Sequence, residues 1–146
     1  MKRFLVAAGI AALTLTVFAA DVPSKDPALI WAAQHNLIPI ATQMLARGVS
    51  VNERDLMGNT PLHHAVRHPA MVKFLIEHGA AVNAQNFLGE TALHLAVHWK
   101  ASVELLLAGG ADRTLRTVFG RTAVDYCMFL GTGKRNLEVM SLLYGK

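Results

Sequence analysis

One nine-residue segment recurs three times in this chain at a constant spacing. The copies are Gly58–Val66 (GNTPLHHAV), Gly89–Val97 (GETALHLAV) and Gly120–Met128 (GRTAVDYCM). Repetition at a period of about 20 to 50 residues is typical of solenoids, in which each unit packs against its neighbours. The repeat therefore predicts a stack of similar units along one axis.

Each copy also carries the signals of a helix pair. Its glycine can adopt the backbone angles of a turn, and the threonine two residues later can cap the following helix. Pro61 stands at the first helical position of the first copy, where its missing N–H is harmless. A short apolar helix, a tight turn and a second helix closed by glycine follow. The predicted unit is helix, turn, helix and extended turn.

The repeated segments, together with FLIEHGAAVNAQN and LLLAGGADRTLR, resemble ankyrin repeats, whose signature contains T-P-L-H-x-A. The resemblance implies an all-α, ankyrin-type solenoid of about four helix-turn-helix repeats joined by extended, hairpin-like turns. The units would span about residues 26–56, 57–87, 88–118 and 119–146. It also implies that the signature histidines hydrogen-bond to threonine and to neighbouring backbone. The structural signature residues are Thr60, His63, Thr91, His94 and Thr122.

The repeats depart from the ankyrin pattern at three places. Their period is roughly two residues shorter than the usual one, and the shortening falls in the turn between the helices, marked by Pro69 and Lys100. His64 takes a position usually held by leucine, so we expect it to be packed inside the stack. Asp125 replaces the signature histidine in the last unit, which we expect to be a C-terminal cap.

The N-terminal segment predicts export. A positive head precedes a mostly apolar run of about 15 residues, which is short for a membrane anchor and typical of a signal peptide over residues 1–19. Residues 20–25 would form a short lead and residues 26–146 the repeat domain. Cleavage reduces the basic residues from 14 to 12 against 10 acidic residues, which is too small an excess for general nucleic-acid binding. A signal peptide on a chain of this size favours a bacterial periplasmic protein with no membrane span after cleavage.

The sequence contains no recognisable catalytic motif, and we predict that the protein is not an enzyme and has no cofactor or metal. Cys127 lies among apolar residues and fits a buried position. The seven histidines, with the pairs His64/His68 and His94/His98 spaced by four, leave one alternative function. It is a metal- or haem-handling periplasmic protein that uses the histidines and the six methionines.

Apolar pairs stand just before each signature glycine, where ankyrin repeats usually have polar residues. By the resemblance these positions project from the body and form one edge of the concave binding surface. Either all three pairs are exposed as a stripe, which on a soluble protein indicates a partner, or one residue of each pair folds back. We predict a monomer that binds another protein as an inhibitor, an immunity protein or a stabilising partner. The predicted contact residues are Leu56, Met57, Phe87, Leu88, Trp99, Arg116, Val118, Phe119 and Arg121.

Overall fold

The computed structural model describes residues 28–129 and 134–145, so the predicted signal peptide lies outside the described residues. This part of the chain contains eight α-helices and no strand. In chain order the helices are α1 Ala28–Gln34, α2 Ile38–Ala46, α3 Pro61–Ala65, α4 Pro69–Glu77, α5 Ala92–Leu95, α6 Lys100–Ala108, α7 Ala123–Phe129 and α8 Lys134–Tyr144. The all-α solenoid predicted from the repeat is confirmed.

The helices form consecutive pairs whose two members are joined by a short turn. Helix α3 ends at Ala65 and α4 begins at Pro69, while α5 continues as a 3₁₀ turn over Ala96–His98 before α6 begins. A proline at the first helical position loses no hydrogen bond, which explains why α4 begins directly at Pro69. Only residues 66–68 separate the two helices of this unit, in the turn where we expect the shortening.

The apolar core runs without interruption through the stack. Equivalent residues of successive units occupy equivalent buried positions, as Leu62 and Leu93 do in the first helices and Leu75 and Leu106 in the second. Cys127 is also buried, as its apolar neighbours predict. Burial of one leucine side chain contributes about 2 kcal/mol, and Leu93→Ala would cost about 2 to 5 kcal/mol because it also leaves a cavity.

Candidate protein-binding surface

In the second and third units, a buried histidine joins the first helix of the unit to the next unit. The backbone N–H of Thr60 donates to Nδ1 of His63 across 3.1 Å, and the Thr60 hydroxyl lies 2.9 Å from the same nitrogen. On the other side of the ring, Nε2 lies 3.0 Å from the carbonyl oxygen of Glu90. Because Nδ1 accepts from a backbone N–H, the network assigns the ring proton to Nε2, which donates to Glu90.

The next unit repeats this arrangement. Nδ1 of His94 accepts from the Thr91 N–H across 3.2 Å, and Nε2 donates to the carbonyl oxygen of Arg121 across 3.2 Å. Burial lowers the pKa of both His63 and His94, which favours the neutral ring that these hydrogen bonds require. His63 and His94 thus fix where the extended turn that follows each of them returns to the helical body.

Asp125 preserves only the local half of this network. Its Oδ2 accepts from the N–H of Thr122 across 2.7 Å and from the Thr122 hydroxyl across 2.8 Å. These hydrogen bonds lower the pKa of Asp125 and cap helix α7. A carboxylate has no proton to donate to a further unit, so the bridge made by His63 and His94 has no counterpart here.

The tip of each extended turn is the segment that carries the apolar pair and the glycine after it. In the first two tips, a polar side chain hydrogen-bonds to the tip backbone. Oδ1 of Asp55 accepts from the N–H groups of Met57 and Asn59, at 2.9 and 2.8 Å. Oδ1 of Asn86 makes the equivalent bonds to Leu88 and Glu90, each of 2.9 Å. In each of these two tips, two backbone N–H groups therefore have their acceptor within the tip.

All three apolar pairs are exposed. The six side chains range from Leu88, which is 40% exposed, to Leu56, which is 96% exposed. We call this surface the tip stripe; it comprises Leu56, Met57, Phe87, Leu88, Val118 and Phe119. The Phe87 ring does pack over Gly58, yet it remains 69% exposed. Both residues of every pair are therefore exposed, in contrast to the alternative in which one residue of each pair folds back.

Beside the last tip lies a groove that the sequence did not predict. The groove has a volume of about 420 Å³, and the guanidinium carbon of Arg121 lies 5.5 Å from the centre of the exposed Phe129 ring. The Tyr126 hydroxyl donates to Oε1 of Glu90 across 2.7 Å, and burial together with Glu90 raises the pKa of Tyr126 to about 12. We call this the C-terminal groove; it is lined by His94, Leu95, Val97, His98, Arg121, Tyr126 and Phe129.

Two of the predicted contact residues make contacts within the chain. Nη1 of Arg116 donates to the carbonyl oxygen of Gly120 across 2.6 Å, so this side chain holds the last tip closed. Trp99 is half-buried against the core and lies between the 3₁₀ turn and helix α6. Arg121 follows Gly120 directly at the last tip, and its guanidinium lies over Phe129.

The expectation that His64 is packed inside the stack is wrong. Its side chain is about one quarter exposed, and Nε2 lies 2.8 Å from Oδ2 of Asp55. Helix α3 is only five residues long, so this face remains open beside the preceding tip. Burial alone would raise the pKa of Asp55, but hydrogen bonds from His64, Asn59 and Met57 outweigh it and lower the pKa to about 2.

The two signature histidines are engaged in structural hydrogen bonds. Both ring nitrogens of His63 and of His94 are occupied by hydrogen bonds. Across residues 28–129 and 134–145, no group of three histidine, cysteine or acidic side chains lies close enough together to hold a metal ion. None of the helices in these segments is both long and apolar enough to span a membrane.

Comparison with known proteins agrees with this architecture. A family model for ankyrin repeats in many copies matches residues 28–96, and one for ankyrin repeats in three copies matches residues 68–146. A protein of Fowlpox virus (strain NVSL) named as an ankyrin repeat protein is 40% identical over 57 residues, which are 37% of this chain and 11% of the viral protein. The match thus spans about a tenth of that relative's length. The chain belongs to the ankyrin repeat family, whose members are generally non-catalytic modules for protein–protein interaction.

Proposed function

We propose that this protein binds a partner protein through the tip stripe and the adjoining C-terminal groove. The observation that carries the proposal is the exposure of all six apolar tip side chains on a backbone fixed by Asp55, Asn86 and the two signature histidines. Exposed apolar side chains on a rigid frame can bind without a large loss of conformational entropy. A contiguous apolar patch of this kind is typical of an interaction site.

Charge defines the chemistry of the partner. The acidic groups of this surface already accept hydrogen bonds within the chain: Asp55 from His64, Glu90 from Tyr126 and Asp125 from Thr122. The Arg121 guanidinium, in contrast, forms no ion pair with any described residue and lies over Phe129. A partner segment with a carboxylate beside an apolar side chain complements this arrangement.

The proposal places the protein outside the cytoplasm, in a bacterial periplasm, because residues 1–19 have the pattern of a signal peptide. There it would act as an inhibitor or immunity protein that covers an enzyme or toxin, or as a stabilising partner of a periplasmic protein. Intact-mass measurement of the protein from its native host tests export. A mature chain that starts at Ala20 or Asp21 supports it, and retention of Met1 to Phe18 contradicts it.

Site-specific photo-crosslinking in the native host tests the docking surface. A photoreactive phenylalanine analogue is placed at Phe87, and in a control protein at Arg47, which is exposed just after helix α2. We expect a discrete adduct with one protein from position 87 and none from position 47. Adducts of equal yield from both positions, or none from position 87, would contradict the proposal.

A further inference from the structure

A backbone hydrogen bond joins the second and the third tip each to the tip before it. We call the groups of the preceding tip that make these contacts a seat. The N–H of Phe87 donates to the carbonyl oxygen of Met57 across 3.1 Å. One period later, the N–H of Val118 donates to the carbonyl oxygen of Leu88 across 2.9 Å. The acceptor residues Met57 and Leu88 are one repeat period apart. One further period gives Phe119, whose carbonyl oxygen is the next equivalent acceptor.

A polar side chain makes the second contact of each seat. Nη1 of Arg54 donates to the carbonyl oxygen of its own Gly58 and also to that of Gln85 in the next tip, at 2.7 and 2.9 Å. Nε2 of Gln85 does the same for Gly89 and Arg116, at 2.7 and 3.0 Å. Each seat thus binds two groups of the following tip. These are a carbonyl oxygen and the N–H of the residue two positions later.

The incoming tip also covers the glycine of the tip on which it sits. A methyl group on Gly58 would lie 2.8 Å from Cδ1 of Phe87, and one on Gly89 would lie 3.0 Å from the backbone of Thr117 and Val118. A methyl group on Gly120 would meet no atom of a described residue within 4 Å. Gly58 and Gly89 are therefore covered by the following tip, and no described residue covers Gly120.

The last tip has the same three features as the two occupied seats, but no described residue of a following tip contacts them. The carbonyl oxygen of Phe119 accepts no hydrogen bond from a described residue, and the guanidinium of Arg116 bonds to Gly120 without the second contact that Arg54 and Gln85 make. Together with the uncovered Gly120, they reproduce the acceptor, the donor and the open glycine of the two occupied seats.

The body of the last unit is open on the same side. Val66, directly after helix α3, and Val97, in the 3₁₀ turn after α5, occupy equivalent positions of successive units and are buried, being 5% and 2% exposed. The equivalent residue of the last unit is Met128, which is apolar and 56% exposed. An apolar side chain therefore stands where the two preceding units are covered by a following unit.

We propose that the last tip binds an extended segment of the partner protein in the way that it would bind a further tip. The inference rests on the proposed function and specifies how the partner docks at the C-terminal end of the tip stripe. The bound segment places an apolar residue over Gly120. The N–H of that residue donates to Phe119, and the carbonyl oxygen two residues earlier accepts from Arg116.

Charge argues for a different protein rather than a second copy as the occupant. The exposed Arg113, Arg116 and Arg121 outnumber the exposed Asp112 and Asp125 at this end, so two copies that met through it would bring two net positive surfaces together. A partner segment with a carboxylate near its apolar residue would instead complement Arg121. This chain's own second tip already binds the seat formed by the first tip, so its sequence is suited to a seat of this kind.

A cyclic peptide of residues 83–91 (NAQNFLGET), which contains the second tip, is therefore the probe. It is titrated into the ¹⁵N-labelled full chain, and amide shifts are followed by NMR. We expect the largest shifts around Phe119, Gly120 and Arg121. N-methylation of the peptide residue equivalent to Phe87 should weaken binding by about tenfold, because it removes the donor to Phe119. Shifts confined to the first two tips, or no effect of N-methylation, would overturn the proposal.

Matched variants separate the seat from the stability of the fold. Gly120→Asn fills the open space, whereas Gly110→Asn makes the same substitution at a distant glycine that also has a positive φ and open surroundings. We expect only Gly120→Asn to prevent peptide binding. Arg116→Gln should retain binding because Gln85 makes both contacts in the preceding tip, and Arg116→Ala should lose it. Equal affinities of the Gly120→Asn and Gly110→Asn proteins would overturn the proposal.

The oligomeric state of the free protein provides the remaining test. A monomer by light scattering supports a partner segment as the occupant, and a dimer that Gly120→Asn dissociates would show that a second copy occupies the seat and would overturn the proposal. Failure of the peptide to bind would leave the crosslink from Phe87 unaffected. The two proposals therefore fail independently.

Discussion

Nε2 of His94 donates a hydrogen bond to the carbonyl oxygen of Arg121 across 3.2 Å, and this contact joins an inner helix to the base of the next tip. The same ring accepts the N–H of Thr91 through Nδ1. One side chain thus caps its own helix and fixes the following unit. The position of the tip stripe therefore depends on residues that do not belong to it.

His94→Ala should lower the free energy of unfolding by about 2 kcal/mol, because it leaves buried donors and acceptors without partners. Thr91→Ala should cost about 1 kcal/mol through loss of the helix cap. Chemical denaturation measures both changes, with His98→Ala as a control because His98 is exposed on the following 3₁₀ turn. A His94→Ala protein as stable as the control would contradict the structural role of the ring.

Stability should fall as pH falls below the ordinary histidine pKa of about 6.5. A histidine in the unfolded chain has a pKa near 6.5, and burial lowers the pKa of His63 and His94 in the folded chain. The unfolded chain therefore binds more protons in this range, so the stabilising contribution is complete above pH 6.5 and is lost as pH falls through the lower, folded pKa. Asp55 stays ionised here because its pKa is about 2.

Denaturation at several pH values measures this dependence. The double variant His63→Gln, His94→Gln retains the other histidines and should show a shallower loss of stability between about pH 7 and 5.5. An identical pH dependence in the wild type and the double variant would contradict the assignment of the effect to the two signature histidines.

Ser102→Ala should raise the free energy of unfolding by about 1 kcal/mol. Ser102 is buried in helix α6, and its hydroxyl has no hydrogen-bond partner among the residues that the structure describes. Ser141→Ala, on the exposed side of helix α8, controls for the higher helix propensity of alanine. Thermal denaturation should show a larger gain for Ser102→Ala, and equal gains would indicate that the buried hydroxyl is satisfied.

The fold could be predicted from the sequence because the same residue types recur in register. Thr60 and His63 return as Thr91 and His94, and the hydrogen bonds within each threonine–histidine pair span only three residues. The exposure of Phe87 could not be decided in the same way. It depends on how far one tip covers the next, and the ring proves to cover Gly58 while keeping most of its surface exposed.

The contacts between successive tips could not be predicted from the sequence, because chemically different residues make the same hydrogen bonds. Arg54, Gln85 and Arg116 occupy equivalent positions of successive repeats, but an arginine, a glutamine and an arginine do not form a recognisable motif. What they share is an N–H group that reaches a carbonyl oxygen. Phe129 was missed because nothing in its local sequence indicates that Arg121, eight residues earlier, lies beside its ring.

Arg121→Glu should weaken partner binding mainly by slowing association, and the loss should diminish at high salt. Its side chain forms no ion pair with the described residues, so the fold should be retained. Association and dissociation rates at two ionic strengths, measured by surface plasmon resonance with the partner identified by the crosslink from Phe87, check this. A change confined to the dissociation rate would argue against long-range attraction of an acidic partner.

The affinity of that partner for Phe87→Ser and for Arg47→Ser tests the central claim most directly, with melting temperatures recorded for both proteins. Phe87 lies on the middle tip, so its loss should weaken binding by about 2 kcal/mol or more, a factor of about 30, while Arg47→Ser should be neutral. The contact with Gly58 should limit the stability cost to about 1 kcal/mol. Unfolding of Phe87→Ser would show that the tips are internal packing. Unchanged fold and affinity would show that the partner docks elsewhere, such as the surface around Trp99.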